Sequence, residues 1–210
     1  MKWTTALKTL EDVADRCAHV HRQPAGIVTL RVGEAWVFGP LLGPRRDDLP
    51  DDAVRVALVT NAAEADCAAG TRPPAAGHWL AASGLETKPV VLWFRSGEAP
   101  VWNHVVERPV RFWTAQDGLD HDVLVQLRAG DGESLRPAAP SPADLVERLG
   151  RELHVSREAL RRSAVEYDDK RWAPGSPKKR GDALADAALG FLAVQDALDP
   201  VDTAGDTLPG

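Results

Sequence analysis

Trp36-Val37-Phe38-Gly39-Pro40, the loop Leu41 to Pro50, and Asp51-Asp52-Ala53-Val54-Arg55-Val56-Ala57-Leu58 form the stretch whose reading decides the fold. An apolar β-rich run stops on a glycine-proline pair, and a second apolar run begins behind two acids. Gly39 to Asp52 holds three prolines, two arginines and four aspartates, which is loop composition. Upstream, Ile27 to Val32 alternates like a strand, and Gly33-Glu34 reads as a tight turn into Ala35-Trp36-Val37-Phe38. Downstream, Val54 to Val59 is an apolar strand with Arg55 as its only charge.

Working outward, Leu7, Leu10, Val13, Ala14, Cys17 and Ala18 recur at helical spacing behind Thr4 and Thr5, and Gln23-Pro24-Ala25-Gly26 stops that helix. Ala62 to Gly77 is rich in alanine, proline and glycine and reads as irregular. Val90 to Phe94, Val101 to Val106 and Val110 to Trp113 read as further strands, and Asp120 to Ala129 returns to helical periodicity. A joint follows at 130–142, marked by Gly130-Asp131-Gly132 and by Pro137, Pro140 and Pro142. Ser141-Pro142-Ala143-Asp144 then has the form of a helix start, with Leu145, Leu149 and Leu153 on one face.

The expected class is therefore α+β: an N-terminal helix and mixed sheet in residues 1–136, then a bundle of about three helices in 137–210. Ser156 is expected to cap the second helix of that bundle and Asp182 to Leu198 to form the third. Trp172 is expected to anchor the helical part on the N-terminal half, Ser176 to Arg180 to form a basic loop, and the chain to fray from about residue 200.

Composition narrows the function. A hydrophobic share of 44% and a charged share of 27% are ordinary for a globular chain, and the formal net charge of -6 argues against binding driven by phosphate electrostatics. There is no signal-like N-terminus and no apolar run of the roughly 18 residues that span a bilayer. Cys17 and Cys67 lack any CxxC spacing and read as buried free thiols. A soluble cytoplasmic protein is the expectation. Arginine greatly outnumbers lysine, and Ile27 is the single isoleucine, a bias of GC-rich genomes.

The opening stretch resembles the core of the nucleotidyltransferase superfamily, in which a strand ends in a Gly-Ser pair and the next strand carries two alternating acids. The resemblance covers residues 4–60. It implies a glycine turn that meets nucleotide phosphates and same-face carboxylates that hold divalent metal, with Mg as cofactor if the chemistry is intact. Asp51 and Asp52 are the candidate catalytic acids. The sequence departs from the pattern in three places. Pro40 stands where the serine would be and removes a backbone donor, Val54 is the same-face partner of Asp52, and Val90 to Phe94 holds no acid.

Two further patterns compete. Leu149 to Arg162 resembles a helix-turn-helix, with the turn at His154-Val155-Ser156 and Arg157, Arg161 and Arg162 facing nucleic acid. Aromatic and polar side chains also cluster in the first half. His78, Trp79, Trp102, Asn103 and His104 are the candidate ligand-binding residues, of the types that build a stacking pocket for a flat molecule. Core packing accounts for the same residues.

As a whole, the chain resembles uncharacterised proteins of high-GC bacteria that share its segments 1–5, 100–104 and 171–175. The expected function is a catalytically degenerate nucleotidyltransferase-like protein that binds a small flat ligand or a protein partner, with no resident metal or other cofactor. A DNA-binding regulator using residues 145–165 and an active metal-dependent nucleotidyltransferase are the alternatives.

Overall fold

The computed structural model describes residues 1–174 and 177–205. The chain divides into two compact units. One comprises Met1–Ala63 with Pro73–Ala139, and the other comprises Glu64–Arg72 with the chain from Pro140 onward.

The first unit opens with α1 (Trp3–His21), followed by β1 (Val32–Phe38), β2 (Arg55–Thr60), α2 (Ala76–Ser83), β3 (Val91–Ser96), β4 (Val110–Thr114), β5 (Gly118–Leu119) and α3 (His121–Ala129). Among the described residues the sheet has five strands in the order β3-β2-β1-β4-β5. It is mixed: β1 is antiparallel to β2 and β4, and β2 is parallel to β3. The parallel pair needs a long crossover, which contains α2.

Strand alternation gives the sheet two faces. Ala35, Val37, Val56, Leu58 and Phe94 point into the main core, where α1 lays down Ala6, Leu7, Leu10, Val13, Ala14, Cys17 and Val20. Each such side chain contributes roughly 1.5–3 kcal/mol when fully buried, less for alanine. The Trp3 indole N–H donates to the Leu127 carbonyl at 3.1 Å and ties the start of α1 to α3. On the outer face a smaller cluster gathers Phe38, Ala57 and Val106, with Trp36, Trp93, Val101 and Val105 packed against it.

Three expected elements differ. Gly33 is no turn; it lies inside β1, where the register with β2 shifts between Val32 and Glu34. An extra residue in one strand is a β-bulge, a common use of glycine there. Of the strand expected at Ile27 to Val32, only Val32 is in a strand, as the first residue of β1. The backbone before it is held by side chains, with the Arg31 amide donating to the Asn61 Oδ1 at 2.8 Å, and Ile27 lies in solvent. Val101 to Val106 is also not a strand, because the Asn103 Oδ1 takes the amides of Val105 and Val106, at 3.0 and 2.8 Å, away from any ladder.

In the second unit, α4 (Pro142–Lys170) and α5 (Pro177–Gly205) are 29 residues each. A capping box starts α4: the Ser141 Oγ accepts from the Asp144 amide and the Asp144 carboxylate accepts from the Ser141 amide. The break expected at Ser156 is absent. Ser156 is a buried mid-helix residue on the face that also buries Arg148, Glu152 and Ala159, and this continuous inner stripe carries the helix through. Two long helices therefore replace the expected three among the described residues. Trp172, expected as a packing anchor, is 87% exposed with the Arg171 guanidinium 5.6 Å over its ring. The expected basic loop is helical from Pro177, and Ser176 lies outside the described residues. Helix α5 also continues past 200 to Gly205, while the rest of the expected tail lies outside them.

Residues Glu64–Arg72 join this unit through charge and close packing. Arg148 and Glu152, both 4% exposed at the side chain, pair at 2.6 Å, and Arg148 and Arg151 each reach Glu64 at 3.1 Å. Gly190 of α5 lies against the Ala69-Gly70 backbone, and a Cβ there would sit 1.8 Å from the Ala69 carbonyl oxygen. Only glycine fits. Gly150 in α4, by contrast, faces open space. Gly190→Ala should therefore lower stability by about 2 kcal/mol or more through forced displacement. Gly150→Ala should raise it by about 0.5–1 kcal/mol through a stiffer helix. Urea unfolding followed by the helical circular-dichroism signal checks both, and equal effects would contradict the packing.

Candidate functional site

The register of the sheet sets one row of outer-face residues side by side: Trp93 on β3, Ala57 on β2, Trp36 on β1 and Arg111 on β4. Strands about 4.8 Å apart put the two indoles roughly 10 Å from each other at the backbone, with a small alanine between them. Both indoles are half-buried. The Arg111 guanidinium lies 5.8 Å over the Trp36 ring, and Glu34 accepts from the Trp36 indole at 2.9 Å and from Arg111 at 3.2 Å. A guanidinium over an indole face adds an electrostatic attraction to the ion pair.

The segment between β3 and β4 crosses this face. Val101, Val105 and Val106 pack on it, and the Arg95 guanidinium reaches the Pro100 carbonyl at 3.4 Å. Arg108 holds a left-handed φ of 44°, unfavourable for a side chain by about 1–2 kcal/mol. Its guanidinium offsets this by donating to the Pro137 carbonyl and the Glu133 carboxylate, each at 2.8 Å.

At the end of β1 the chain turns at Gly39, with φ 76°. Arg136 donates to the Gly39 carbonyl at 3.0 Å and pairs with Glu133 at 3.0 Å. On the other side, the Arg55 Cδ sits 3.1 Å from where a Gly39 Cβ would be. The guanidinium of Arg55 pairs with Asp52 at 2.5 Å. Cationic side chains thus flank the glycine turn, balanced by one carboxylate on each side.

The expected acids stand apart from the sheet. Asp51 and Asp52 are exposed in the turn that precedes β2, and Asp51 lies 3.6 Å from the N-terminal ammonium. Val54, the supposed partner of Asp52, is fully buried in the main core. By alternation, the outward positions are Arg55, Ala57 and Val59 on β2 and Val91, Trp93 and Arg95 on β3, none of them acidic. No group of three or more His, Cys, Asp or Glu that could hold a metal occurs among the described residues.

The aromatic candidates divide between the two faces. Trp79 is buried in the main core, edge-on to Phe94 with ring centroids 6.1 Å apart, and His78 beside it is exposed. Trp102, Asn103 and His104 ride on the segment over the outer face, where Asn103 shapes the turn and Trp102 and His104 are half-buried. The outer-face pair Trp36 and Trp93 was not among the expected ligand residues. Period-two alternation is legible in both strands, but their being two strands apart follows from sheet order. The recognition-helix reading loses its turn. Of its arginines, Arg157 is exposed, Arg161 pairs with Glu158 at 2.7 Å, and Arg162 bonds the Ala65 carbonyl and lies 3.5 Å from Asp66.

The structure is thus an α+β protein with a mixed sheet whose outer face carries an aromatic and cationic row. The model of a domain of unknown function, DUF7711, matches residues 1–200, and the chain belongs to that family. No curated protein and no solved structure matches it. Among the described residues, no helix is long and apolar enough to cross a membrane.

The Arg55 hydrogen bond and charge hold the Asp52 carboxyl below its ordinary value. A depressed carboxyl stabilises the fold above its unfolded-state pKa, and that contribution fades as pH falls through the folded-state value. An NMR titration should therefore show Asp52 titrating below an ordinary aspartate and returning to the normal range in Arg55→Ala. An Asp52 unmoved by that substitution would contradict the pairing.

Proposed function

We propose that this protein is a catalytically degenerate, nucleotidyltransferase-like binding module that takes a flat, anionic small molecule on the outer face of its sheet, in the reducing interior of the cell. One observation carries the reading: the outward positions of β2 and β3 present Arg55, Ala57 and Trp93, where an active member of that superfamily needs carboxylates. The element order supports the likeness, with a helix, a strand ending just before Gly39, a loop and an antiparallel strand. Aromatic rings stack flat groups, so the half-exposed indoles of Trp36 and Trp93 suit such a ligand, and its anion would compete with Glu34, Asp52 and Glu133 for the guanidiniums of Arg111, Arg55 and Arg136. Two buried free cysteines support a reducing compartment; burial also pushes the Cys17 thiol well above its ordinary pKa, leaving it unreactive.

Thermal shift and tryptophan fluorescence with ATP, GTP and adenosine, each with magnesium and with EDTA, test the reading. A nucleotide should stabilise the protein as well in EDTA as in magnesium, and Arg55→Ala should weaken it about tenfold through the lost charge-assisted bond. Trp93→Leu should remove the fluorescence change. Magnesium-dependent release of pyrophosphate that disappears in Asp52→Ala would overturn the degenerate reading in favour of an active transferase.

A further inference from the structure

Helix α5 carries a second face that its own unit leaves in solvent. Its inner side buries Ala187, Gly190 and Val194. On the other side, Lys178, Asp182, Ala185, Leu189, Leu192 and Asp196 follow one another in alternating steps of four and three residues, and all are exposed. Leu189 is 66% and Leu192 49% exposed. Steps of four and three average 3.5 residues, the period that keeps one seam of a helix facing a partner helix. Aqueous solvent alone does not call for two leucines and an alanine at the centre of such a seam.

The charges at its ends identify the partner. The stripe begins with a cation, Lys178, and ends with an anion, Asp196. Side by side in parallel, two copies would set Lys178 against Lys178 and Asp196 against Asp196. Turned end for end, the same stripe is complementary to itself. We propose that α5 pairs antiparallel with α5 of a second copy about a two-fold axis near residue 187. In that register Lys178 lies opposite Asp196 of the second copy at both ends, and Ala185 lies opposite Leu189. A small residue facing a large one lets two helices approach closely and interlock. Asp182 falls beside Leu192 of the second copy, at the edge of the apolar centre. The contact is isologous and therefore closes at two chains. With three apolar residues per copy it is small, so the association is weak and dependent on concentration.

Sedimentation equilibrium of the full chain, over about 5–500 μM, is the test. A monomer–dimer equilibrium is expected. Leu189→Glu, at an exposed position, should abolish association while leaving the circular-dichroism spectrum and melting unchanged. Lys178→Glu and Asp196→Lys should each weaken the dimer about tenfold, and the two together should restore it, because the pair is rebuilt with its signs exchanged. A chain that stays monomeric throughout would overturn the proposal. So would a dimer indifferent to Leu189→Glu, or charge reversals that do not compensate.

Discussion

The first unit depends on the register of β1. That strand lies between β2 and β4 and is antiparallel to both, so its backbone is committed on two sides at once. Side chains alternate with period two, and a slip of one residue would drive Glu34, Trp36 and Phe38 into the main core and turn Ala35 and Val37 out. The bulge at Gly33 takes up an extra residue on the β2 side, and a second shift, between Ala35 and Trp36 on the β4 side, sets Trp36 opposite Arg111. Everything on the outer face follows: the indoles of Trp36 and Trp93 flank Ala57, Arg111 lies over Trp36, and Arg55 lies against the Gly39 turn.

The second unit rests on a different balance. Its inner face is polar where Glu64–Arg72 meets α4, and apolar where Leu149, Ala69 and Val194 cluster. Burying Arg148 is unfavourable by several kcal/mol unless its charge is met, and Glu152 and Glu64 meet it together. Removing either carboxylate would leave the buried cation only partly compensated. The same network specifies which segment docks, since a stretch without Glu64 could not complete it. Gly190 adds a steric condition to the electrostatic one.

Much of this was legible from residue order. The apolar spacing of Leu7, Leu10, Val13, Ala14 and Cys17 gives α1, because a helix this amphipathic has one place to put that face. The apolar runs around Val56 and Phe94 give β2 and β3, and the Ser141-Pro142-Ala143-Asp144 start gives the first turn of α4. Local competition hid other features. Asn103 diverts two amides that a strand would have used, and a glycine at Gly33 serves a bulge as readily as a turn. Ser156 looks like a cap because serine caps helices often, yet its neighbours Glu152 and Ala159 are buried with it in one continuous stripe.

By itself, then, the sequence determined the α+β class, the amphipathic helices and the two-faced character of the strands, since these follow from interactions within a dozen residues. Tertiary structure alone decided strand order and hence which aromatics become neighbours. Trp79 and Trp93 lie only 14 positions apart yet belong to different faces of the sheet, while Trp36 and Trp93, 57 positions apart, share a row. It also decided that Glu64–Arg72 leaves its sequence neighbours for α4. The physical reason is common to both. Pairing between strands, and between a buried Arg148 and its carboxylates, depends on contacts far apart in the chain, and these satisfy groups whose partners no local pattern names.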